Sequence, residues 1–322
     1  MPSKIIVVVG PNASGKSEFA VQLAQKIGGE IISADSRQVY KGLNIGSGKI
    51  TKKEMRGVPH HCLSIANPKK QFSALDFKKC AERAIANILS HGKTPIIVGG
   101  TGFYIDAALG RVKLGGVPPN RALRKKLAGK SAVKLSKMLK KLDSERAEKI
   151  EQKNPRRLIR AIEIALWRKK RHFVDFAGFA STQPRGPLGG REESKINKMA
   201  IVWLGIKRPP EELKKRIYNR LLRRLQGIIQ ETKKLHRQGV SWKRLYDLGL
   251  EYRYVSLYLR GKLKAPLSSR RGGIATKVAT KDEMIQKILT ESWRYAKRQM
   301  TWFKKNKEIR WISNPKSLPI SL

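Results

Sequence analysis

The amino-acid sequence predicts an α/β fold: a parallel sheet with helices on both faces, interrupted by a helical insertion. Three observations predict it. Roughly the first hundred residues alternate short apolar runs with amphipathic stretches, the pattern of doubly wound folds. The first apolar run feeds a glycine-rich turn, GPNASGKS at residues 10–17, and then a helical pattern. From about Pro119 the chain turns to basic helical stretches, and at Ala200–Ile206 it returns to a strong strand signal. The expected division is therefore a core of residues 1–122 with 199–322, and a basic insertion of 123–198.

Each element follows from its residues. Ile5–Val9 is wholly apolar, the signature of a strand buried on both faces. In Glu18–Ile27, Phe19, Leu23 and Ile27 recur at i, i+4 and i+8, one stripe of a helix. Glu30–Ser33 reads as a short second strand delivering Ala34, Asp35 and Ser36, and Phe77–Leu89 as a helix. Thr94–Val98 is a third buried strand that ends in Gly99, Gly100, Thr101 and Gly102. Ligands of open parallel sheets bind at the carboxyl ends of the strands, so the glycine-rich turn, Asp35 and Thr101 are expected around one crevice. Asn154 and Pro155 read as an N-cap and a proline at the first helical position, opening a helix over Arg156–Lys170. Its apolar stripe is Leu158, Ile162 and Leu166, with Arg156 and Arg160 on another face. Residues 177–195, rich in Gly, Pro, Ser and Arg, read as a mobile connection. The chain after Ala200–Ile206 is helical and finishes in Trp293–Lys305. There the mixed spacing of Trp293, Tyr295, Trp302 and Phe303 favours packing on the core over stacking on bases.

Composition sets limits. A chain of 322 residues with 40% hydrophobic content has ample core, and no apolar run approaches the ~20 residues that span a bilayer. The first strand starts almost at the N-terminus, leaving no room for a targeting segment. Two cysteines, Cys62 and Cys80, make no disulfide framework, so a cytoplasmic protein is expected. His60, His61 and Cys62 have the spacing of neither a zinc finger nor a metalloprotease helix, and are expected to shape the core or the substrate wall. The net charge is +46, unevenly spread: residues 1–110 carry 15 basic and 7 acidic side chains, residues 111–322 carry 55 and 17. A small-metabolite enzyme has no need of such an excess. It points to a nucleic-acid partner.

The turn Gly10, Pro11, Asn12, Ala13, Ser14, Gly15, Lys16, Ser17 matches the phosphate-loop pattern G-x-x-x-x-G-K-[ST] at every fixed position, between a strand and a helix. Glycines let backbone amides close around a phosphate at a helix N-terminus. Lys16 adds a point charge, and the Ser17 hydroxyl is a ligand for Mg²⁺. The loop alone predicts nucleotide (ATP) binding and phosphoryl transfer. However, mechanical NTPases add an apolar strand ending in an acid, whereas Thr94–Val98 runs into Gly-Gly-Thr. Asp35 is the acid at a comparable place, with two roles open to it: holding magnesium-bound water, or acting as general base toward a second substrate. Kinase and group-transfer chemistries both survive.

The phosphate loop, IISADSRQVY at 31–40, VPHH at 58–61, VGGTG at 98–102, NPRRLIRA at 154–161 and YAKRQMTWF at 295–303 together resemble the bacterial tRNA dimethylallyltransferases, in order over nearly the whole chain. The resemblance implies a phosphate-loop α/β core and transfer of a dimethylallyl group from dimethylallyl diphosphate to the exocyclic amine of the adenosine just 3′ of the anticodon. Asp35 then matches the general base, and Thr101 a position near the reacting centre. Lys16 and the loop, with Mg²⁺ at Ser17, hold the departing diphosphate, joined by one of Arg216 and Arg220. Contacts to the tRNA anticodon stem-loop are implied for Asp35, Ser36, Arg37, Gln38 and Thr101. Further contacts are implied for Arg124, for Arg156, Arg157, Leu158, Ile159 and Arg160, and for Gly249, Tyr252 and Arg253. The run Leu248–Arg253 (LGLEYR) departs from the family's spacing between glycine and arginine, and Ser17 stands for the commoner threonine with its hydroxyl retained. A monomer is expected. An adenylate isopentenyltransferase, a phosphate-loop kinase and a non-catalytic RNA-binding protein are the alternatives.

Overall fold

The computed structural model describes residues 4–112, 114, 116–176, 196, 199–264 and 279–313. The connection expected at 177–195 lies outside the described residues. The chain divides into two compact units, Met1–Val112 with Glu193–Leu322, and Lys113–Glu192.

In the first unit, β1 (Lys4–Val9) passes through the glycine-rich turn into α1 (Lys16–Ile27), then β2 (Gly29–Ser33), α2 (Lys52–Met55), β3 (His60–His61), α3 (Ala74–Ser90), β4 (Thr94–Gly99) and α4 (Gly102–Ala108). Among the described residues one sheet forms in the order β3-β2-β4-β1, continued by β5 (Ala200–Ile206) and β6 (Arg310–Ile312), with every pairing parallel. β1 is central, Val8 lying opposite Val98 on β4 and Leu204 on β5. Alternation divides its side chains: Ile5, Val7 and Val9 enter the core shared with α3 and α4, while Ile6 and Val8 enter the one shared with α1. Because all strands run one way, the segments after β1, β2 and β4 leave the same edge of the sheet. Helix α1 starts at Lys16, two residues earlier than expected, since Gly15 in a left-handed conformation (φ 95°) is its N-cap.

The second unit holds α5 (Arg121–Leu127), α6 (Ala132–Leu142), α7 (Ser144–Lys149) and α8 (Pro155–Phe176). Leu135, Leu139, Leu158 and Ile162 form its core. It begins ten residues earlier than the expected 123, because Arg160 donates to the Val117 carbonyl and Glu163 accepts from the Asn120 amide, drawing that loop onto α8. Back in the first unit, α9 (Pro210–Arg237), α10 (Trp242–Leu248), α11 (Leu250–Leu259) and α12 (Lys281–Phe303) follow β5. A capping box between Thr280 and Glu283 starts α12 well before the expected Trp293. Phe303 is buried in the core, as packing requires, whereas Trp302 keeps a partly exposed face.

Two cysteines, too few to suggest a framework, are nonetheless bonded to each other. Cys62 leaves β3 in a left-handed conformation (φ 58°) and meets Cys80 on α3, their Cα atoms 6.2 Å apart. Among the described residues no helix is long and apolar enough to cross a membrane.

Candidate active site

The first unit encloses an open cavity of about 860 Å³ at the carboxyl edge of the sheet, and its walls include Lys16, Ser17, Asp35, Gln38, Arg216 and Arg220. The phosphate loop forms one end. A Cβ at Gly10 would lie 2.6 Å from the Ile206 carbonyl oxygen, so only glycine lets the loop leave β1 against β5. Ala13 (φ 62°) and Gly15 (φ 95°) are both left-handed, the geometry that turns successive amides inward. Ser14 is fully buried, and its hydroxyl has no hydrogen-bond partner among the described residues; the Asn12 side-chain oxygen is likewise unpartnered. An orphaned hydroxyl inside a ring of amides fits a phosphate oxygen. Lys16 Nζ donates to the Pro11 carbonyl at 3.1 Å. Burial pushes its pKa down to about 8; the Asp35 carboxylate opposes that shift and Arg220 adds to it.

Four arginines surround this end. Arg208 Nε donates to the Ser14 carbonyl (3.2 Å) and Arg216 Nε to that of Ala13 (2.9 Å). Arg220 Nη2 donates to the Gly48 carbonyl (3.0 Å) and Arg224 Nη1 to that of Ile45 (2.6 Å). The resemblance implies one of Arg216 and Arg220 at this end; Arg224 continues their i, i+4 series along the same helix, a signal present in the sequence. Arg208, just past β5, carries no such pattern.

The other end is built from the segments after β2 and β4. Asp35 Oδ1 accepts from the amides of Arg37 (2.8 Å) and Gln38 (3.3 Å), which holds the carboxylate at the cavity wall. Thr101 Oγ1 accepts from the Ser36 amide (3.1 Å), so the two segments are tied together. Thr101 braces the wall and does not itself line the cavity. Tyr295 on α12 reaches the same place; burial and the Asp35 charge push its hydroxyl up to about 12, against a hydrogen bond with Thr101. Gln299, one turn on, accepts from the Asn12 amide (2.9 Å) and donates to the Gly100 carbonyl (2.9 Å), joining the phosphate loop to the Thr101 turn. Neither residue was expected to serve the site. Hard oxygen donors, the Ser17 hydroxyl and the Asp35 carboxylate, face one cavity with the anion end. This donor set suits Mg²⁺, which takes one or two protein oxygens and completes its shell with phosphate and water. Among the described residues no cluster of three or more His, Cys, Asp or Glu side chains is placed to hold a metal ion.

Gly249 and Arg253 line the cavity as well, Arg253 stacking over the Tyr246 ring at 4.6 Å. Tyr252 does not. It is 1% exposed and donates its hydroxyl to Glu231 at 2.6 Å, so the expectation of an RNA contact from this side chain is corrected to a structural strut. Glu251 reaches the cavity wall beside Arg224 (3.7 Å), and burial raises its carboxyl pKa.

The second unit sorts its expected residues differently. Arg156 and Arg157 are exposed, Arg157 3.2 Å from Glu151. Leu158 is fully buried in the unit's core, so the expectation of an RNA contact from its side chain is corrected to a packing role, and Ile159 is partly buried against the same core. Arg124 and Arg160 both grip Glu163, Arg124 with Nε (3.0 Å) and Nη2 (2.7 Å).

The family model for IPP transferase matches residues 38–306. The tRNA dimethylallyltransferase 2 of Treponema denticola is 38% identical over 314 residues, 95% of each chain. The tRNA dimethylallyltransferase of Treponema pallidum (strain Nichols) is 38% identical over 307 residues, 94% of this chain and 88% of that protein. Among solved structures, the full-length tRNA isopentenylpyrophosphate transferase of Bacillus halodurans aligns with a TM-score of 0.64 at 31% identity, covering 97% of this chain and 90% of its own. A eukaryotic dimethylallyltransferase caught acting on tRNA aligns with a TM-score of 0.72 at 25% identity, over 97% and 74%.

Proposed function

The chain belongs to the IPP transferase family, and from that premise we propose that it transfers a dimethylallyl group from dimethylallyl diphosphate to tRNA. The acceptor in this reading is the exocyclic amine of the adenosine just 3′ of the anticodon, and diphosphate is released. The observation that carries it is the pairing of a cationic phosphate loop and a carboxylate in one cavity, close enough that Lys16 feels the charge of Asp35.

The chemistry follows from that arrangement. The bond that breaks joins the prenyl carbon to diphosphate oxygen, so negative charge grows on the leaving group. Loop amides, the Ser14 hydroxyl, Lys16 and Arg220 stabilise it in a site fixed in advance. Each of the two arginines in question lines the cavity and holds a backbone carbonyl, Arg216 that of Ala13 and Arg220 that of Gly48; Arg220 is favoured because its charge acts on Lys16. Ser17 would hold Mg²⁺, which would supply further positive charge at the leaving group. The attacking amine is weak because its lone pair is delocalised into the adenine ring. Asp35, oriented by the Arg37 and Gln38 amides, accepts its proton as the carbon–nitrogen bond forms. The base leaves its stack to reach the cavity, at a cost of a few kcal/mol that is lowest in a single-stranded loop. All the groups invoked lie in one chain, so a monomer suffices, and the substrates place the reaction in the cytoplasm.

Incubation with dimethylallyl diphosphate, Mg²⁺ and either unmodified tRNA or AMP tests the reading. Prenyl incorporation into tRNA is expected. Transfer to AMP alone would replace it with adenylate prenylation, and release of phosphate from ATP onto an acceptor would replace it with a kinase.

A further inference from the structure

A carboxylate outside the cavity ties its walls together. Glu231 on α9 is 9% exposed and is not among the lining residues. Its Oε2 accepts from the amides of Asn44 and Ile45, each at 2.8 Å. Its Oε1 accepts from the Gly46 amide at 2.9 Å and the Tyr252 hydroxyl at 2.6 Å. All four donors are neutral, and among the described residues no cation forms an ion pair with this carboxylate. Three successive amides pointing at one acceptor make an anion-binding nest, filled here by a side chain of the protein itself.

The segment it holds is a tight turn, closed by the Gly48 amide on the Ile45 carbonyl (3.0 Å) and the Lys49 amide on the Asn44 carbonyl (2.9 Å), and Glu231 secures its Asn44, Ile45 and Gly46 amides. Residues 44–48 read NIGSG, with Ile45 exposed, and two glycines give such a loop many conformations to lose. Close approach requires glycine at 46, and a left-handed backbone (φ 60°) favours it at 48. A Cβ at Gly46 would meet the Tyr252 ring at 2.5 Å, and one at Gly48 would meet Arg220 Nη2 at 2.1 Å. While the Asn44, Ile45 and Gly46 amides face Glu231, the Ile45 and Gly48 carbonyls face cavity arginines. Gly48 O accepts from Arg220 Nη2 (3.0 Å) and Gln38 Nε2 (3.3 Å), and Ile45 O from Arg224 Nη1. A carbonyl aims a guanidinium only if its own peptide is fixed.

We propose that Glu231 is a positioning residue for the diphosphate end: by fixing the 44–48 loop it sets the Gly48 carbonyl, which aims Arg220 at the anion. The inference rests on the assignment of Arg220 to the diphosphate made above. Its action is indirect, since Glu231 touches neither the cavity nor the reacting atoms.

Glu231→Gln keeps the shape but turns an NH₂ group toward backbone amides. Titration calorimetry with inorganic diphosphate is expected to show affinity reduced about tenfold, the weight of hydrogen bonds to a charged group. Steady-state rates should show KM for dimethylallyl diphosphate raised by a similar factor with kcat little changed. Exchange of the 44–46 amides should quicken. In an Arg220→Ala background the same substitution should cost less than about twofold, because the two act in series. Equal losses in both backgrounds, or unchanged diphosphate affinity in folded E231Q, overturns the proposal. Should E231Q not fold, Tyr252→Phe removes one of the four donors alone. A loss of about twofold or more that disappears with R220A supports the proposal, and no loss overturns it. Diphosphate binding needs no prenyl transfer. A wild-type protein that binds diphosphate yet never prenylates tRNA therefore sinks the proposed function and leaves this inference to the titration.

Discussion

Glu231 in the first unit and Glu163 in the second are both buried and accept several hydrogen bonds, and the two are satisfied in opposite ways. Glu231 in the sheet unit is met by three amides and a tyrosine hydroxyl, so the arginines around it stay directed at the cavity. Glu163 in the helical unit is met by Arg124, Arg160 and the Asn120 amide, so two arginines are consumed holding the unit's own loop. The lesson is that a basic motif does not reveal what its charge faces. In NPRRLIRA, Arg160 is committed to Glu163, whereas Arg156 and Arg157 stand on the exposed side of α8. The RNA-binding share of the +46 charge is therefore smaller than a count of Lys and Arg suggests.

The sharpest way to break this contrast is at the chemistry, which it assigns wholly to the sheet unit. Asp35→Asn should lower single-turnover prenyl transfer by about 10²–10⁴-fold, the usual weight of a general base, with tRNA affinity in filter binding largely intact. Parallel loss of binding and rate would remove the base role.

Next in size is Glu163→Gln. The Glu163 side chain is 1% exposed while Arg124 and Arg160 are each more than a third exposed, so a loss of about 1–3 kcal/mol in thermal or urea unfolding is expected, with diphosphate affinity unchanged. Acid should act in the same direction. Hydrogen bonds from Arg124 and Arg160 hold the Glu163 carboxyl below the usual carboxylate range despite its burial. Its contribution is thus complete above the ordinary carboxylate pKa and is lost as pH falls through the lower folded value. Circular dichroism across pH 3–6, with E163Q as reference, checks the sign. An equal acid slope in both proteins would place the effect elsewhere.

A smaller effect reads the sheet unit alone. With its pKa pushed down to about 8, Lys16 is charged below that pH and neutral above it. Diphosphate affinity should fall by up to about tenfold per unit above pH 8, one proton's worth, while tRNA binding by exposed arginines stays level. The finest test compares two arginines of one helix. Arg157→Ala should reduce the slope of log affinity for tRNA against log salt by about one, whereas Arg160→Ala should lower stability first. If both change only the slope, the contrast between the units fails.

Much of this was legible in residues. The run Ile5–Val9, the loop to Ser17, and the strands at Glu30–Ser33 and Thr94–Val98 are local patterns, and parallel topology alone gathers their ends. The 113–122 segment was misassigned because its allegiance is set by Glu163 and Arg160, more than forty residues away. Tyr252 and Leu158 sit inside motifs of functional appearance, yet burial is a property of the packed partner and not of the motif. Gln299 and Glu231 were invisible for the same reason: their partners, the Asn12 and Asn44–Gly46 amides, are backbone groups that any sequence carries.

Helix α9 has one further consequence. From Arg216 through Arg220 and Arg224 to Glu231 the unbroken helix takes 15 steps, about 22 Å at 1.5 Å per residue, and the four fall within about 80° of one face at 100° per residue. That stretch works as a measuring rod, with the anion site at one end and its buttress at the other. Outward-facing positions between them tolerate exchange of one side chain for another. Adding or deleting a single residue there turns one end by about 100° against the other and parts the arginines from the carbonyls that aim them. Spacing, more than chemical character, is what this helix must keep.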